Sequence, residues 1–391
     1  MSARVLVNAT TLVVGGGIQV GASFIEHLVV HGHPGLEFLC VVSRPLAAAL
    51  APAARTDARV RATEVSPARV VGGRRTRALL TSLEAAWRPD LVYSIGFPSY
   101  VRFSTPEVGR YTNPWALTPN PLAWSLIPCR ERGPRWLKTW YRMRWARRAA
   151  YVETQTEAAR TGIVERLGVP RARTLVVPNA PNPRFLRTAP AVPPSGTGPH
   201  RVLCLAAPYR HKHLAFVPRV ARALRDRHAA ADCLFVLTLP RQSHILAEVE
   251  QVARSLGVTS MIENVGPLGL DECVTEYARA AVVFQPTLLE VFSATYLEAM
   301  AMARPIVTSD LPFAREVCAD AARYHAPLSA SEAAAALAEV VTDPTVRNDL
   351  VESGRQRLAR FPAPEARHRM VLDWLSRLAV PTADRGRRAG A

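Results

Sequence analysis

Short apolar runs rich in Val and Leu alternate with segments of helical periodicity, and this alternation is the feature that most constrains the fold. In the first half of the chain, strands are predicted at 4–7, 36–42, 91–94, 151–153 and 174–177. Helical patterns lie between them, near 18–32, 74–87, 134–149 and 155–167. Parallel strands joined by crossover helices form sheets that carry helices on both faces. The first half is therefore predicted to be an α/β domain.

The composition changes between Pro178 and Pro199, where seven prolines and two glycines would break any regular element. A linker is predicted there, at 186–199. The alternation then resumes, with strands predicted at 201–205, 233–237, 259–263, 282–285 and 305–308 and helices near 213–228, 242–256, 270–279 and 294–303. The predicted fold class is α/β, with two doubly wound, Rossmann-like domains facing each other across a cleft.

The length of 391 residues also favours two domains, because a single hydrophobic core stops growing well below that size. The domains are predicted at 1–185 and 200–360. Three helices close the chain, near 330–342, 344–358 and 364–378. A C-terminal helix within 361–380 is expected to pack back toward the first domain, and the tail 381–391 is predicted to be disordered.

The chain is strongly basic, with a net charge of +17 that comes almost entirely from arginine, since Lys138 and Lys212 are its only lysines. The basic stretch from Arg130 to Arg148 also carries four large aromatic side chains at helical spacing: Trp136, Trp140, Tyr141 and Trp145. Such a helix could rest on an anionic membrane surface or hold an anionic acceptor. The alternative that we favour is a solvated basic face above a packed aromatic stripe.

The sequence gives little sign of membrane insertion. No stretch approaches the roughly 18 apolar residues that a spanning helix requires, and polar residues interrupt the uncharged segment 5–25. The six cysteines are scattered without a C-x-x-C pair, as expected for free thiols in a reducing compartment. We therefore expect a cytoplasmic enzyme, with a location at the inner face of the membrane left open.

Ligands of doubly wound sheets bind beyond the carboxyl ends of the strands, so the loops that follow strands are the candidate sites. The first is a glycine run, in which Gly16 and Gly17 precede a predicted helix and let backbone amides approach an anion. A flexible turn explains the run equally well. A nicotinamide cofactor is disfavoured because the glycines do not directly follow the strand and no acidic residue ends the next strand.

The second candidate loop follows the strand that opens the second domain and contains Arg210 and Lys212. A guanidinium group can grip a phosphate with two hydrogen bonds, and an ammonium group acts on it as a point charge. The lysine is an exception in an arginine-rich chain. This loop is therefore predicted to contact a phosphate-bearing ligand.

The third loop gives the strongest signal and follows the predicted strand 282–285. Ser293 has the position of an N-cap, so the amides of Ala294, Thr295 and Tyr296 should point out of the first helical turn toward an anion. Two carboxylates, Glu290 and Glu298, flank those amides. Since ionised carboxylates accept strong hydrogen bonds from sugar hydroxyls, one site could hold a diphosphate together with two sets of hydroxyls.

At this point a family resemblance becomes visible. The run E-V-F-S-A-T-Y-L-E-A-M-A-M-A-R-P-I-V-T-S-D, from Glu290 to Asp310, resembles the E-x7-E signature of glycosyltransferase family 4, the retaining enzymes of GT-B fold. Further motifs occur in the expected order, namely E-T-Q-T-E at 153–157, V-V-P-N at 176–179, H-K-H-L at 211–214 and D-L-P-F-A-R-E-V at 310–317. The resemblance covers most of the second domain and, more loosely, the first.

The resemblance implies a role for each candidate residue. It implies that Glu298 holds the ribose of a nucleoside diphosphate sugar and that Glu290 contacts the transferred sugar. Glu290, Lys212 and Arg210 are the predicted catalytic residues. The donor-binding set that it implies comprises Phe292, Ser293, Ala294, Thr295, Tyr296, Glu298, Gly16 and Gly17. It implies no cofactor and no metal, and the sequence has no D-x-D pair of the kind that chelates a divalent ion.

The chain departs from the family pattern at three positions: Val291 and Ala303 stand where many members have Gly, and Ala207 stands where an Arg is common. Arg210 is expected to supply the charge missing at Ala207. The resemblance implies a retaining, metal-independent transferase that moves a hexose to a hydroxyl acceptor: a polysaccharide, a lipid-linked glycan or a natural product. The first domain is then the acceptor side.

Two alternatives stay open. A nucleotide-sugar 2-epimerase shares the two-domain architecture, although the E-x7-E run is typical of transferases. A non-catalytic protein could instead use its basic surface to bind nucleic acid or a membrane. Nucleic acid is not the partner that we expect, because the arginine content reflects a general compositional bias rather than a localised basic patch.

Overall fold

The computed structural model describes residues 2–13, 15–188 and 198–379. The predicted tail at 381–391 and most of the predicted linker at 186–199 therefore lie outside the described residues. The chain divides into two compact units. The first comprises the described residues of Met1–Leu117, Pro134–Val177 and Glu365–Ala391, and the second comprises those of Thr118–Gly133 and Pro178–Pro364. Unlike the continuous first domain predicted at 1–185, the first unit is interrupted by a segment that groups with the second.

The first unit is built on a parallel sheet. In the described part of the chain its seven strands are β1 (Ala3–Ala9), β2 (Leu36–Ser43), β3 (Val60–Thr63), β4 (Leu91–Ser94), β5 (Glu107–Arg110), β6 (Tyr151–Thr154) and β7 (Thr174–Val176). They pair in the order β3-β2-β1-β4-β5-β6-β7. The central strand β1 is buried along almost its whole length, and apart from Arg4 and Asn8 its residues are apolar, as expected for a strand covered on both faces.

Helices cover this sheet. Within the first unit they are Gly16–His31, Arg44–Ala49, Pro52–Arg55, Gly73–Trp87, Pro114–Leu117, Glu157–Gly162 and, from its second residue on, Pro364–Leu378. Another helix, Cys129–Ala146, begins in the segment that groups with the second unit and continues into the first. The last helix packs its apolar face on the core through Val371, Leu372 and Leu375, and its Trp374 ring meets the edge of Tyr151.

The second unit repeats the plan. Its strands are β8 (His200–Cys204), β9 (Cys233–Leu237), β10 (Ile262–Asn264), β11 (Val282–Gln285), β12 (Ile306–Ser309) and β13 (Arg323–His325), paired in parallel in the order β10-β9-β8-β11-β12-β13. Its helices are Pro121–Ser125, Pro183–Arg187, Val217–Arg227, His244–Leu256, Leu270–Arg279, Ala294–Ala301, Pro312–Cys318, Ala330–Thr342 and Pro344–Leu358. The two-domain α/β prediction is confirmed.

Several elements differ from the sequence prediction. The strands β3 and β13 were not predicted, because they are only four and three residues long and carry charged side chains. A short helix, Pro183–Arg187, forms inside the proline-rich segment that was predicted to hold no element. It is stable there because Asn182 caps it, accepting from the Arg184 amide at 2.9 Å, and because Pro183 occupies its first position.

A buried ion cluster crosses the first sheet. The Glu153 carboxylate is completely buried and accepts from Arg367 Nη2 at 3.0 Å, while Arg110 Nε lies 3.3 Å from the same oxygen. The Tyr93 hydroxyl donates to the other carboxylate oxygen. Burial, followed by the negative charge of Glu153, raises the pKa of Tyr93 well above its ordinary value. The cluster joins β4, β5 and β6 to the C-terminal helix.

A second buried carboxyl lies beside it on β5. Glu107 accepts from the Ser94 hydroxyl at 2.5 Å, and Ser94 accepts in turn from the side-chain amide of Asn8 at 3.1 Å. Burial raises the pKa of Glu107 to about 7, although hydrogen bonds from Ser94 and Ser99 oppose the shift. Among the described residues no cation pairs with this carboxyl, whereas Arg110 and Arg367 pair with Glu153.

Candidate functional site

The helix Ala294–Ala301 begins shortly after β11, as the sequence predicted. Ser293 occupies the N-cap position in an extended conformation, but its side chain makes no capping hydrogen bond. The first amides of a helix have no acceptor within the helix, so those of Ala294 and Thr295 are available to a ligand. The Tyr296 amide differs, because it bonds to the Ser293 carbonyl at 3.3 Å. Two of the three predicted amides thus have no intrahelical acceptor.

Glu290 and Lys212 form an ion pair just before this helix. Both side chains are mostly buried, with 12% of Glu290 and 14% of Lys212 exposed. Two further bonds hold the loops together, since the His211 carbonyl accepts from the Leu288 amide at 2.8 Å and from the Thr287 hydroxyl at 3.2 Å. The second and third predicted loops therefore form one cluster.

Arg210 is directed elsewhere. Its Nη1 donates to Glu248 at 3.1 Å, and its Nε lies 4.0 Å from Glu131. The structure therefore brings Lys212 to Glu290, whereas it pairs Arg210 with two other carboxylates. A ligand would have to compete with those carboxylates for the Arg210 guanidinium.

Glu298 lies on the first turns of the same helix and is partly buried. Its Oε2 accepts from the Tyr277 hydroxyl at 2.9 Å. Burial raises the pKa of Glu298, while the Tyr277 hydrogen bond and then the charge of Lys212 act in the opposite direction. Burial also raises the pKa of Tyr277 well above its ordinary value, which keeps it a donor. Lys212 thus acts electrostatically on Glu298 as well as pairing with Glu290.

The loop around Glu290 has an anchor that sequence reasoning missed. The Thr118 hydroxyl donates to the Glu290 carbonyl at 3.2 Å, and the Asn120 side-chain amide donates to the Leu288 carbonyl at 2.8 Å. Both residues belong to the segment that groups with the second unit. A proline-rich loop far away in the chain gave no sequence signal for this contact.

The remaining predicted side chains in this stretch pack inward. The buried Tyr296 hydroxyl bonds to Thr308 Oγ1 at 2.8 Å, and Phe292 meets Phe361 edge to face with centroids 5.8 Å apart. Beside Lys212, His213 has a left-handed backbone (φ 56°) and a buried ring. Burial, followed by the charge of Arg219, lowers the pKa of His213 to about 4, so it is neutral at pH 7.

The predicted glycine pair belongs to the first unit. Gly16 opens the helix Gly16–His31, and a Cβ built on it would meet no atom within 4 Å. A Cβ on Gly17 would approach the side chain of Leu12 to 3.1 Å. The space beside Gly16 is therefore open, whereas Gly17 allows close packing within its own unit.

Over the ranges 2–13, 15–188 and 198–379, no helix has both the length and the apolar character needed to cross a bilayer. Within the same ranges, no three His, Cys, Asp or Glu side chains are grouped so that they could hold a metal ion.

Comparison with known proteins connects both halves of the chain to sugar transfer. Residues 15–180 match the family model "Glycosyl transferase 4-like domain", and residues 189–357 match "Glycosyl transferases group 1". No curated protein sequence matches the chain significantly.

Solved structures resemble the chain over nearly its full length at low sequence identity. A glycosyltransferase from Rickettsia africae superposes with a TM-score of 0.72 at 12% identity, covering 97% of this chain and 100% of its own. Anabaena HepE in complex with UDP-glucose superposes with a TM-score of 0.70 at 14% identity, covering 96% of this chain and 99% of its own. Sucrose-phosphate synthase from Thermosynechococcus elongatus superposes with a TM-score of 0.69 at 15% identity, covering 97% of this chain and 99% of its own. At such identities the likeness establishes the fold.

Two Rossmann-like units with parallel sheets, and these structural neighbours, define a protein of the GT-B fold. Both matching family models describe glycosyltransferase domains, and together they span most of the chain. The chain is therefore a glycosyltransferase of the GT-B type, a class that transfers a sugar from a nucleotide sugar.

Proposed function

We propose that the chain is a retaining, metal-independent glycosyltransferase that moves a hexose from a nucleoside diphosphate sugar to a hydroxyl acceptor. The observation that carries the proposal is the grouping of Lys212 with both glutamates at the start of one helix. Lys212 pairs with Glu290, and its charge also opposes the rise that burial causes in the pKa of Glu298. One cation, two carboxylates and the helix amides match the charges and hydroxyls of a nucleotide sugar.

In this proposal the donor lies along the start of the helix Ala294–Ala301. The diphosphate accepts from the amides of Ala294 and Thr295 and from Lys212. Glu298 accepts hydrogen bonds from the ribose hydroxyls, and Glu290 accepts them from the transferred hexose. Arg210 contributes to diphosphate binding only if the ligand displaces Glu248, which holds it at 3.1 Å.

The proposed reaction breaks the bond between the anomeric carbon and the diphosphate oxygen. The acceptor hydroxyl oxygen forms a new bond to the same face of that carbon, and its proton leaves with the diphosphate or with water. Negative charge grows on the departing diphosphate, so the amides and Lys212 are the groups that stabilise the transition state. Charge stabilisation by such preorganised donors can replace a metal ion.

The neighbour crystallised with UDP-glucose makes UDP-sugars the first donors to test. The test is a thermal-shift panel of UDP-, GDP-, ADP- and dTDP-sugars, because a ligand that binds only the folded state raises the melting temperature. We expect one base to give the largest shift. The shift should persist in EDTA, and Lys212→Met should reduce it.

Arg254→Met provides a matched control, since it also removes one positive charge from the second unit but from an exposed helix position. It should leave the shift unchanged. For the donor that binds, NMR of the transferred sugar should show the anomeric configuration of the donor. An inverted product would contradict retention, and a requirement for magnesium would contradict metal independence.

A further inference from the structure

A pocket of about 720 Å³ opens in the first unit, and none of the residues assigned above to the donor lines it. Its wall includes four arginines, Arg69, Arg74, Arg77 and Arg102. No Asp or Glu lines it in the described part of the chain. Four guanidinium groups that share one pocket without an acidic neighbour in its wall repel one another unless an anion enters.

The position of these arginines adds a second reason to expect an anion. Arg74 and Arg77 lie at the start of the helix Gly73–Trp87, whose first turn contains no acidic residue. The N-terminus of a helix carries partial positive charge, so cations there are destabilising and anions are favoured. The Arg75 amide already bonds to the Gly72 carbonyl at 3.2 Å, so the partial positive charge of the helix start, together with the arginines, would act on a bound anion.

The pocket wall is held in place by the loop before this helix. The Thr76 hydroxyl donates to the Val65 carbonyl at 2.5 Å, and Arg77 donates to the Pro67 carbonyl. Gly73 packs so closely that a Cβ on it would lie 3.0 Å from the carbonyl oxygens of Ser66 and Pro67. The loop is therefore fixed before any ligand binds.

The opposite wall is aromatic. Tyr100 stacks on Tyr141, with centroids 6.1 Å apart, and meets Trp145 edge to face at 5.8 Å. Tyr100 has a left-handed backbone (φ 58°), a conformation that is uncommon for a bulky residue. Strain of this kind persists where the surrounding structure fixes it, and it is often found at ligand sites.

Tyr141 and Trp145 belong to the helix Cys129–Ala146, whose surface outside the pocket is both apolar and basic. Trp136, Leu137, Trp140 and Tyr141 are exposed. Trp140 lies one helical turn after Trp136, and Tyr141 lies one turn after Leu137, so the four side chains are neighbours on the helix surface. The charge of Arg142, followed by burial and Arg135, lowers the pKa of Lys138 on this helix. The surroundings of the pocket are therefore electropositive as well as apolar.

We propose that this pocket binds the phosphate group of the acceptor substrate, with the ring or chain attached to that phosphate packed against Tyr100, Tyr141 and Trp145. The arginines supply paired hydrogen bonds to the phosphate oxygens, a geometry that guanidinium groups favour. The site itself follows from the pocket, whereas its assignment to the acceptor rests on the proposed function. The phosphate belongs to a soluble molecule or to a lipid.

The experiment measures binding of phenyl phosphate and of decyl phosphate by calorimetry. The Arg74→Gln and the Arg102→Gln single variants should each bind phenyl phosphate about tenfold more weakly than the wild type, since each loses charge-assisted hydrogen bonds. Arg75→Gln is the matched control, because Arg75 lies in the same helical turn but does not line the pocket. It should change the affinity by less than about twofold. Arg74→Lys keeps the charge and should recover part of the loss.

The two probes also separate the sources of the phosphate. Decyl phosphate that binds more than about tenfold tighter than phenyl phosphate would indicate a lipid acceptor, and similar affinities would indicate a soluble one. Absence of binding by both probes, or an equal loss in Arg75→Gln and Arg74→Gln, would overturn the site.

Donor binding is measured on the same variants, so that the two proposals fail separately. Each variant should keep the wild-type affinity for the nucleotide sugar. Loss of phosphate binding with intact donor binding confirms that the site is distinct from the donor site. Phosphate binding in a protein that binds no nucleotide sugar would overturn the assignment to the acceptor and the proposed function, while the anion site would stand.

Discussion

Glu153 in the first unit and Glu298 in the second are both withdrawn from water, but their partners differ. Glu153 is completely buried and is compensated by two arginines and a tyrosine hydroxyl. Glu298 is partly buried, accepts one hydrogen bond from Tyr277 and has a raised pKa. The first carboxylate has its charge balanced within the fold, whereas the second has hydrogen-bonding capacity left over.

Under the proposed function, this difference separates a structural carboxylate from one that binds a ligand. A buried charge with two cations and a hydroxyl around it gains nothing further from a ligand. A carboxylate with one donor, next to helix amides and a lysine, gains when hydroxyl groups complete its hydrogen bonds. Substitutions should therefore affect stability at Glu153 and donor affinity at Glu298.

The largest expected effect is on stability at Glu153. Glu153→Gln leaves Arg110 and Arg367 buried without their counter-charge and should lower the free energy of unfolding by about 3–5 kcal/mol. Urea denaturation measures the free energy of unfolding of the variant and the wild type. Glu157→Gln is the control, because the Glu157 side chain is 53% exposed in its pairs with Arg160 and Arg171 and should contribute about 0–1 kcal/mol. Equal losses in the two variants would contradict the structural role of Glu153.

The uncompensated carboxyl of Glu107 should make stability depend on pH. The pKa of Glu107 is about 7 in the folded protein against an ordinary value of 4.5, so its contribution to stability is fully present below pH 4.5 and falls as the pH rises to 7. Glu107→Gln stays neutral throughout. Relative to this variant, the free energy of unfolding of the wild type should therefore fall by up to about 3 kcal/mol between pH 4.5 and 7. Parallel pH profiles of unfolding for the two proteins would contradict the raised pKa.

A smaller effect is expected at Tyr277, which positions Glu298. Tyr277→Phe removes one hydrogen bond to that carboxylate and should weaken donor binding about fivefold, equivalent to about 1 kcal/mol. Tyr324→Phe removes a partly buried hydroxyl of the same unit, which donates to the Ala319 carbonyl at 2.6 Å. Calorimetric titration with the nucleotide sugar should show weaker binding in the first variant only. A similar loss in both would indicate a general loss of packing.

The sequence predicted the two α/β units and the main loop because these features depend on local patterns. The short apolar run at 282–284 marked β11, and the position of Ser293 marked the start of the helix that follows it. The pairing of Lys212 with Glu290 joins loops 78 residues apart, and only the shared edge of the sheet suggested it.

Other contacts could not have been predicted because they are not local. Tyr277 lies on a different helix from Glu298, and Asn120 contacts a carbonyl 168 residues away. Arg210 looked suitable for a phosphate from its position in the loop, but sequence spacing could not reveal Glu248 opposite it. The arginine pocket was likewise hidden in a chain that is rich in arginine throughout.

The central claim is that Glu298 holds the donor, and calorimetric titration of Glu298→Gln with the nucleotide sugar tests it most directly. The substitution keeps the shape of the side chain but removes its charge. It should weaken binding by roughly ten- to hundredfold, as expected for a lost hydrogen bond to a charged group, while the exposed control Glu250→Gln binds like the wild type. Wild-type donor affinity in Glu298→Gln would contradict the account.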